Sequence, residues 1–332
     1  MLAACVIGAC IGGFWDKIVC MVTGRQVSEN IGDGYIWAAQ ACPTCGTSEQ
    51  AFVGKRGGVS HRENLGVECD LWRCKNCSLI FANPMPIPAG GLGQHYDVDA
   101  DEYFQAHDKQ DKLDGAASMI KQAEALLGRK GKLLDVGVGR GEIMIAAKEL
   151  GWEVEGIEPS ETFADYAEKR TGAKIWRQPV EDVDIDENEF DVVILAAVLE
   201  HLYNPNEIMA KISRVLKSGG LLYLDVPNEM GLFFRVGNFY QRLRGRRWSV
   251  NLSPTFPPFH IFGFSPRSLR TLLNKHGLEP KVWTVYGGKS MVPSRGGMLG
   301  RLESQASRVV TAISNLGEMG TYIETWAVKK GE

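Results

Sequence analysis

The sequence has no cysteine after Cys77, no surplus of positive charge, no internal repeat and no unbroken apolar run of membrane length. All eight cysteines (Cys5, Cys10, Cys20, Cys42, Cys45, Cys69, Cys74 and Cys77) fall near the amino terminus of a 332-residue chain. A disulfide framework across the rest is thereby excluded, and a reducing, cytoplasmic setting is expected. With 37 Lys and Arg against 40 Asp and Glu, the net charge of −3 exerts no overall pull on nucleic acid or an anionic membrane. One local exception is Arg242, Arg244, Arg246 and Arg247. The apolar first twenty residues lack a basic leader region and are cut by Asp16 and Lys17, so stable membrane insertion is not expected from them. No aromatic–basic RNA motif is present either.

What remains is enough for one large domain and a smaller one, with 44% hydrophobic residues to build a core. Residues 1–40 read as an extension, 41–90 as a compact cysteine-bearing module, 91–130 as a helical connector and 131–332 as the main domain. The module ends in the Pro/Gly-rich stretch NPMPIPAGGLG, which marks a boundary. A helical pattern follows around Leu113, Ala117, Ile120, Ala123 and Leu127.

From Lys132 onward, strands alternate with helices, the mark of a parallel sheet with crossover helices. LLDVGV, WEVEGIE, a short strand near Ala173–Trp176, FDVVIL and LLYLDV are the first five strands, and KVWTVYG and TYIETWAVKK supply two late ones. The expected fold is α/β: a doubly wound, mostly parallel seven-stranded sheet of Rossmann-like type. Ser160 and Asn204 are predicted helix caps, Pro205 a first-turn proline, and Gly219 the stop just past the helix carrying Ile208, Ile212, Val215 and Leu216. Ser265-Pro266 opens a further helix that stops at Gly277. Residues 229–264, between the fifth strand and that helix, are long enough for a lid or substrate-recognition insert.

The central motif is Asp135-Val136-Gly137-Val138-Gly139-Arg140-Gly141 at the end of the first strand. Glycines there let backbone approach a ligand at the strand's carboxyl end. A dinucleotide fingerprint would need its third glycine where Glu142 stands, and an acid at the helix start opposes a pyrophosphate. A phosphate-free cationic cofactor meets no such conflict, which points to S-adenosylmethionine (SAM). Glu158 ends the second strand, where a carboxylate can accept both ribose hydroxyls. Asp182 follows the third and is a candidate for the adenine amino group.

LLDVGVGRG, VEGIEPS, FDVVILAAVLEHL and LKSGGLLYLDVPN together resemble, in order and spacing, the successive motifs of class I SAM-dependent methyltransferases. The likeness continues through HIFGFSPRSLRTLLNKHGLEP, as in the small-molecule branch of that family. The resemblance implies that Asp135, Gly137 and Gly139 hold the methionine end, Glu158 the ribose and Asp182 the adenine, and Gly141 completes the cofactor-binding set. It also implies transfer of a methyl group to an oxygen, nitrogen or carbon of a small acceptor such as a sugar or another biosynthetic metabolite.

Glu200 and His201 follow the fourth strand beside the expected cleft, and His201 is a candidate base. His260, in PPFHIFGFS, is the rival. His276 reads as structural; Tyr96 and Tyr103 could fold over the cofactor, or simply pack. The arginines near Trp248 suggest an anionic acceptor, or a solvated surface. Cys42-x-x-Cys45 and Cys74-x-x-Cys77 have the spacing of a four-thiolate structural zinc ribbon, with Cys69 left over. CxxCG…CxxCSLIFANP resembles the zinc-binding leaders of some small-molecule methyltransferases. Two other functions stay open: an RNA or protein methyltransferase reading its target through the ribbon, and a non-catalytic SAM-binding protein. A homo-oligomer is compatible with either.

Overall fold

A computed structural model describes residues 34–60, 66–91, 109–252, 259–287 and 317–331, with isolated helical positions at 305, 309, 313 and 314. The first twenty residues, Tyr96, Tyr103, His61, His95 and His107 lie outside the described residues.

The cysteine module contains β1 (Tyr35–Ala38), β2 (Gln50–Arg56), β3 (Cys69–Cys74), β4 (Ile80–Ala82) and β5 (Met85–Pro88). Next comes α1 (Lys109–Leu127), then the predicted alternation: β6 (Lys132–Val136), α2 (Glu142–Glu149), β7 (Glu153–Ile157), α3 (Glu161–Thr171), β8 (Ile175–Trp176), β9 (Phe190–Ala196), α4 (Pro205–Val215) and β10 (Leu216–Pro227). The remainder is α5 (Leu232–Leu243), β11 (Phe262–Gly263), α6 (Pro266–Lys275), β12 (Leu278–Tyr286) and β13 (Tyr322–Lys329).

The main sheet has seven strands in the order β12-β13-β10-β9-β6-β7-β8. The five from β6 to β10 run parallel, and β13 and β12 add antiparallel pairs at one side. Parallel strands are buried on both faces, and accordingly Phe190, Val192, Val193, Ile194 and Leu195 of β9 are all inaccessible. Strand order reverses between β6 and β9, so the chain leaves these neighbours in opposite directions and opens a crevice at their carboxyl ends.

Local chemistry sets most boundaries. The Asn204 side chain accepts from the Glu207 amide at 3.2 Å with Pro205 in the first turn. Ser265 and Ser268 form a reciprocal capping box. Two expectations differ in detail. Ser160 occupies the cap position of α3 but makes no side-chain cap bond; its amide donates instead to Glu158. The helix before β10 ends at Val215, not at Gly219, because Leu216 pairs at once with Phe190 and Gly219 falls in an irregular stretch of the strand.

The cysteine module does not stand apart. β11 pairs with β4, so a four-stranded antiparallel sheet, β11-β4-β3-β2, is completed by a strand from the far end of the chain. Leu71, Phe81 and Ile87 share one apolar core with Leu202, Phe262 and Leu269. Among the described residues no helix is long and apolar enough to cross a membrane.

Candidate functional site

The turn after β6 forms one wall of an open cleft of about 790 Å³, counting space continuous with solvent. Gly137, Gly139 and Gly141 have φ of 78°, 53° and 78°, a region that side-chain-bearing residues seldom adopt. At Gly137 a Cβ would also meet a Val198 methyl at 2.5 Å, so glycine is needed on two counts. The opposite walls come from Glu158, Pro159 and Phe163, from Pro179 and Val180, and from Ala197, Val198 and His201.

Glu158 is 6% exposed and bridges these parts. Its two carboxylate oxygens accept from the Gly139 amide at 2.9 Å and the Ser160 amide at 3.0 Å. Burial pushes its carboxyl up, and those two amides oppose the shift. Glu142 is tied to the buried Arg140 at 3.0 Å, which offsets part of the charge that would repel a phosphate there. Glycine spacing, more than Glu142, then separates this loop from a dinucleotide fingerprint. Asp182 is not brought into the cleft. The turn closed by its amide on the Pro179 carbonyl leaves it exposed, and Pro179 and Val180 line the wall instead.

Asp135 is 1% exposed and does not itself line the cleft, and among the described residues its Oδ2 has no hydrogen-bond partner. Burial, with added repulsion from Glu158 and Glu142, raises its pKa to about 8. An orphaned acid beside a second buried acid fits a cationic ligand, so the residues present suit the ammonium and sulfonium of SAM. Because the folded pKa exceeds the unfolded 3.8, the native state holds an extra proton between about pH 4 and 8. This group therefore lowers stability progressively as pH rises through that window. Asp135→Asn should raise the stability of the ligand-free protein at pH 8 by about 1–3 kcal/mol. The same change should weaken SAM binding at least about tenfold, since a charge-assisted partner is lost. Thermal melting from pH 5 to 9 and calorimetric titration check the two signs together.

Beyond β9, Ala197 takes a left-handed φ of 54° and turns the chain into a single 3-10 turn, Leu199–His201. This aims His201 at the cleft. Its Nδ1 lies 3.2 Å from the Phe259 carbonyl, an obligate acceptor, so Nδ1 carries the proton and Nε2 the lone pair. Glu200 is 2% exposed, with one carboxylate oxygen 3.9 Å from His201 Nε2; among the described residues its Oε2 has no hydrogen-bond partner, and burial pushes its pKa up to about 7. The His260 ring stands edge-on to His201 with centroids 5.0 Å apart. Glu200, His201 and His260 are thus brought together, although His260 does not line the cleft. His276 instead bonds Asn206 through Nε2 at 3.0 Å, far from the site.

Two members of this cluster were not anticipated from sequence. Glu229, 2% exposed, lies 3.7 Å from His260 Nδ1 and accepts from the Asn251 amide group at 2.7 Å and the Leu252 amide at 3.3 Å. Burial opposes a charge on His260, but Glu229 and Glu200 outweigh it and hold the imidazole above its ordinary range. Arg56, buried in β2, donates to the carbonyls of His260 at 2.6 Å and Leu252 at 3.3 Å. The cysteine module therefore fixes the backbone of the loop that carries His260.

In that module the sulfurs of Cys42 and Cys77 are 3.5 Å apart, as are those of Cys45 and Cys74, and all four lie within 4.8 Å of one another. A tetrahedral zinc with bonds of about 2.3 Å sets its sulfurs about 3.8 Å apart, so the cage suits such an ion. Gly46 and Ser78, both at positive φ, close the two turns. Cys69 is buried outside the cage.

Comparison with known proteins agrees with this architecture. A family model described as a methyltransferase domain matches residues 106–282, more than half of the chain. The ubiquinone biosynthesis O-methyltransferase of Maricaulis maris is 27% identical over 155 residues, covering 45% of this chain and 59% of that protein. An uncharacterized protein of Methanocaldococcus jannaschii, MJ1123, is 33% identical over 129 residues, covering 38% and 60%. The chain spans about half the length of the curated relatives it matches. A solved SAM-dependent methyltransferase from Thermotoga maritima superposes with a TM-score of 0.47 at 20% identity, covering 72% of this chain and 100% of that one. From the extent of the family match, the chain belongs to the methyltransferase-domain family.

Proposed function

We propose that the protein transfers a methyl group from SAM to a nucleophilic atom of a small acceptor, with His201 taking the proton. The observation that carries this reading is that His201 shares one cleft with Gly137, Gly139 and Glu158, with its basic nitrogen set by the Phe259 carbonyl. SAM, when bound, supplies a methyl carbon already activated by positive sulfur. The residues of the chain then have two tasks, alignment and proton removal. Asp135 and the glycine turn would hold the methionine end, Glu158 the ribose, and Pro179 with Val180 the adenine face. Fixed alignment of the reactants contributes roughly 7–11 kcal/mol at best.

His201 Nε2 would accept the proton of a hydroxyl or amine acceptor as the bond to carbon forms. Glu229 and Arg56 act at one remove, as positioning residues for His260 and its loop. Several relatives are named as ubiquinone biosynthesis O-methyltransferases, which favours a hydroxyl-bearing small acceptor. We assign a structural zinc to Cys42, Cys45, Cys74 and Cys77, because four thiolates leave no open coordination position. The packing of the cysteine module against β11 and the His260 loop supports a role as a wall of the fold, in preference to a reader of macromolecules.

Calorimetric titration with SAM and with NADH tests the reading, followed by transfer of labelled methyl to small hydroxyl-bearing acceptors. SAM should bind in the micromolar range, and Glu158→Ala should weaken it at least about tenfold by removing a charge-assisted ribose contact. Binding of NADH with none of SAM would overturn the proposal.

A further inference from the structure

Helix α5 is amphipathic in the reverse of the usual sense. Phe234, Gly237, Asn238 and Gln241, spaced i, i+3, i+4 and i+7, face the protein. Asn238 accepts from the Val250 amide at 2.9 Å and donates to Asn251 at 2.6 Å, and a Cβ on Gly237 would meet Val250 at 2.9 Å. The outward face repeats the same spacing with apolar residues. Val236, Phe239, Tyr240 and Leu243 are 46%, 62%, 53% and 70% exposed. A helix that turns asparagine and glutamine inward and presents phenylalanine and leucine has an apolar face with nothing on it among the described residues.

The charged side chains of the helix and of the turn after it are all of one sign. Arg235, Arg242, Arg244, Arg246 and Arg247 are all exposed, and among the described residues none forms an ion pair with a carboxylate. The Arg244 guanidinium lies over the Tyr240 ring at 5.7 Å, at the edge of the apolar strip. From Met230 to Leu278 there is no Asp or Glu, against eight Lys and Arg, in a chain whose net charge is −3. An occupant must therefore be apolar in the middle and anionic at its edge. A second copy meeting this one about a two-fold axis would set arginines against arginines.

We propose that α5 and the arginine turn after it form a docking surface for an anionic phospholipid bilayer. The helix lies in the plane of the surface, with Phe239 and Leu243 at the acyl boundary and the arginines among the phosphates. Nothing spans the bilayer in this arrangement. The surface is distinct from the cofactor cleft, and vesicle binding needs neither SAM nor methyl transfer, so it stands or falls apart from the proposed activity.

The test is co-sedimentation of the full chain with phosphatidylcholine vesicles and with mixed phosphatidylcholine–phosphatidylglycerol vesicles. The mixed vesicles should bind at least about tenfold more protein, and salt should weaken the binding. Phe239→Ser with Leu243→Ser should lose most of it. Each of Arg244→Gln, Arg246→Gln and Arg247→Gln should lower partitioning roughly fivefold. These side chains are exposed, so unchanged melting curves should accompany the losses. Equal binding to both vesicle types, no binding to either, or variants that bind like the parent would overturn the proposal. A dimer in sedimentation velocity that Leu243→Ser dissolves, with no vesicle binding, would assign the face to a second copy instead.

Discussion

Replacing His201 with asparagine should slow methyl transfer by about 10²–10⁴-fold, the range expected for loss of a positioned base. SAM affinity should stay within about twofold, because the glycine turn, Asp135 and Glu158 are untouched. The split follows from the local geometry. His201 enters the cleft on the 3-10 turn after β9, a different wall from the one that Glu158 occupies. His260→Asn should act more weakly, roughly tenfold on the rate, since His260 stands behind His201 and is held near Glu229. Single-turnover rates at saturating SAM, measured on the acceptor found by labelled transfer, separate the two. A larger loss for His260 would move the base to that residue; no loss for either would leave the enzyme working by alignment alone.

Removing the zinc proposed for the four cysteines should have the larger structural effect. Binding of structural zinc by four thiolates is worth about 10–16 kcal/mol in apparent terms, comparable with or above the roughly 5–15 kcal/mol that holds a whole domain together. The double variant Cys42→Ser, Cys77→Ser, or prolonged chelation, should therefore melt β2, β3 and β4. The damage should reach the catalytic side as well, because β11 pairs with β4 and Arg56 holds the carbonyls of Leu252 and His260. Elemental analysis should find one zinc per chain. Hydrogen exchange should show protection lost at Ile80–Ala82 and Phe262–Gly263 together, with the amides of β6 and β9 still protected. A metal-free protein with the same melting temperature would contradict this.

The contrast between what sequence showed and what it hid follows contact range. That Gly137, Gly139 and Glu158 would share one cleft was legible because a parallel βαβ unit places consecutive motifs at one sheet edge by short, fixed connections. The gathering of the four paired cysteines was legible because each C-x-x-C turn brings two sulfurs together locally. Asp182 was misplaced because a single turn from Pro179 decides whether an acid faces the cleft or the solvent, and strand order does not encode that turn. Glu229 and Arg56 were hidden for a different reason. Arg56 reaches His260 across 204 residues, and the partners of Glu229 stand 22 and 23 residues on, in a connection whose path no local pattern encodes. Periodicity recognised an amphipathic pattern in many segments, yet in α5 it would bury Phe239 and Leu243, the face that the fold leaves outside.

The pairing of Phe81 with Phe262 bears on how the protein is made. Ribosomes add roughly 5–20 residues per second, so the edge of β4 waits on the order of ten to forty seconds for its partner strand to be synthesised. During that interval Ile80 and Phe81 are an open apolar edge of the kind that recruits other chains. Early capture of zinc by the two cysteine turns would give the nascent module its own order before the carboxyl-terminal half arrives. Yield from cells should then depend on metal supply during synthesis, and adding zinc after purification should not restore what was lost to aggregation.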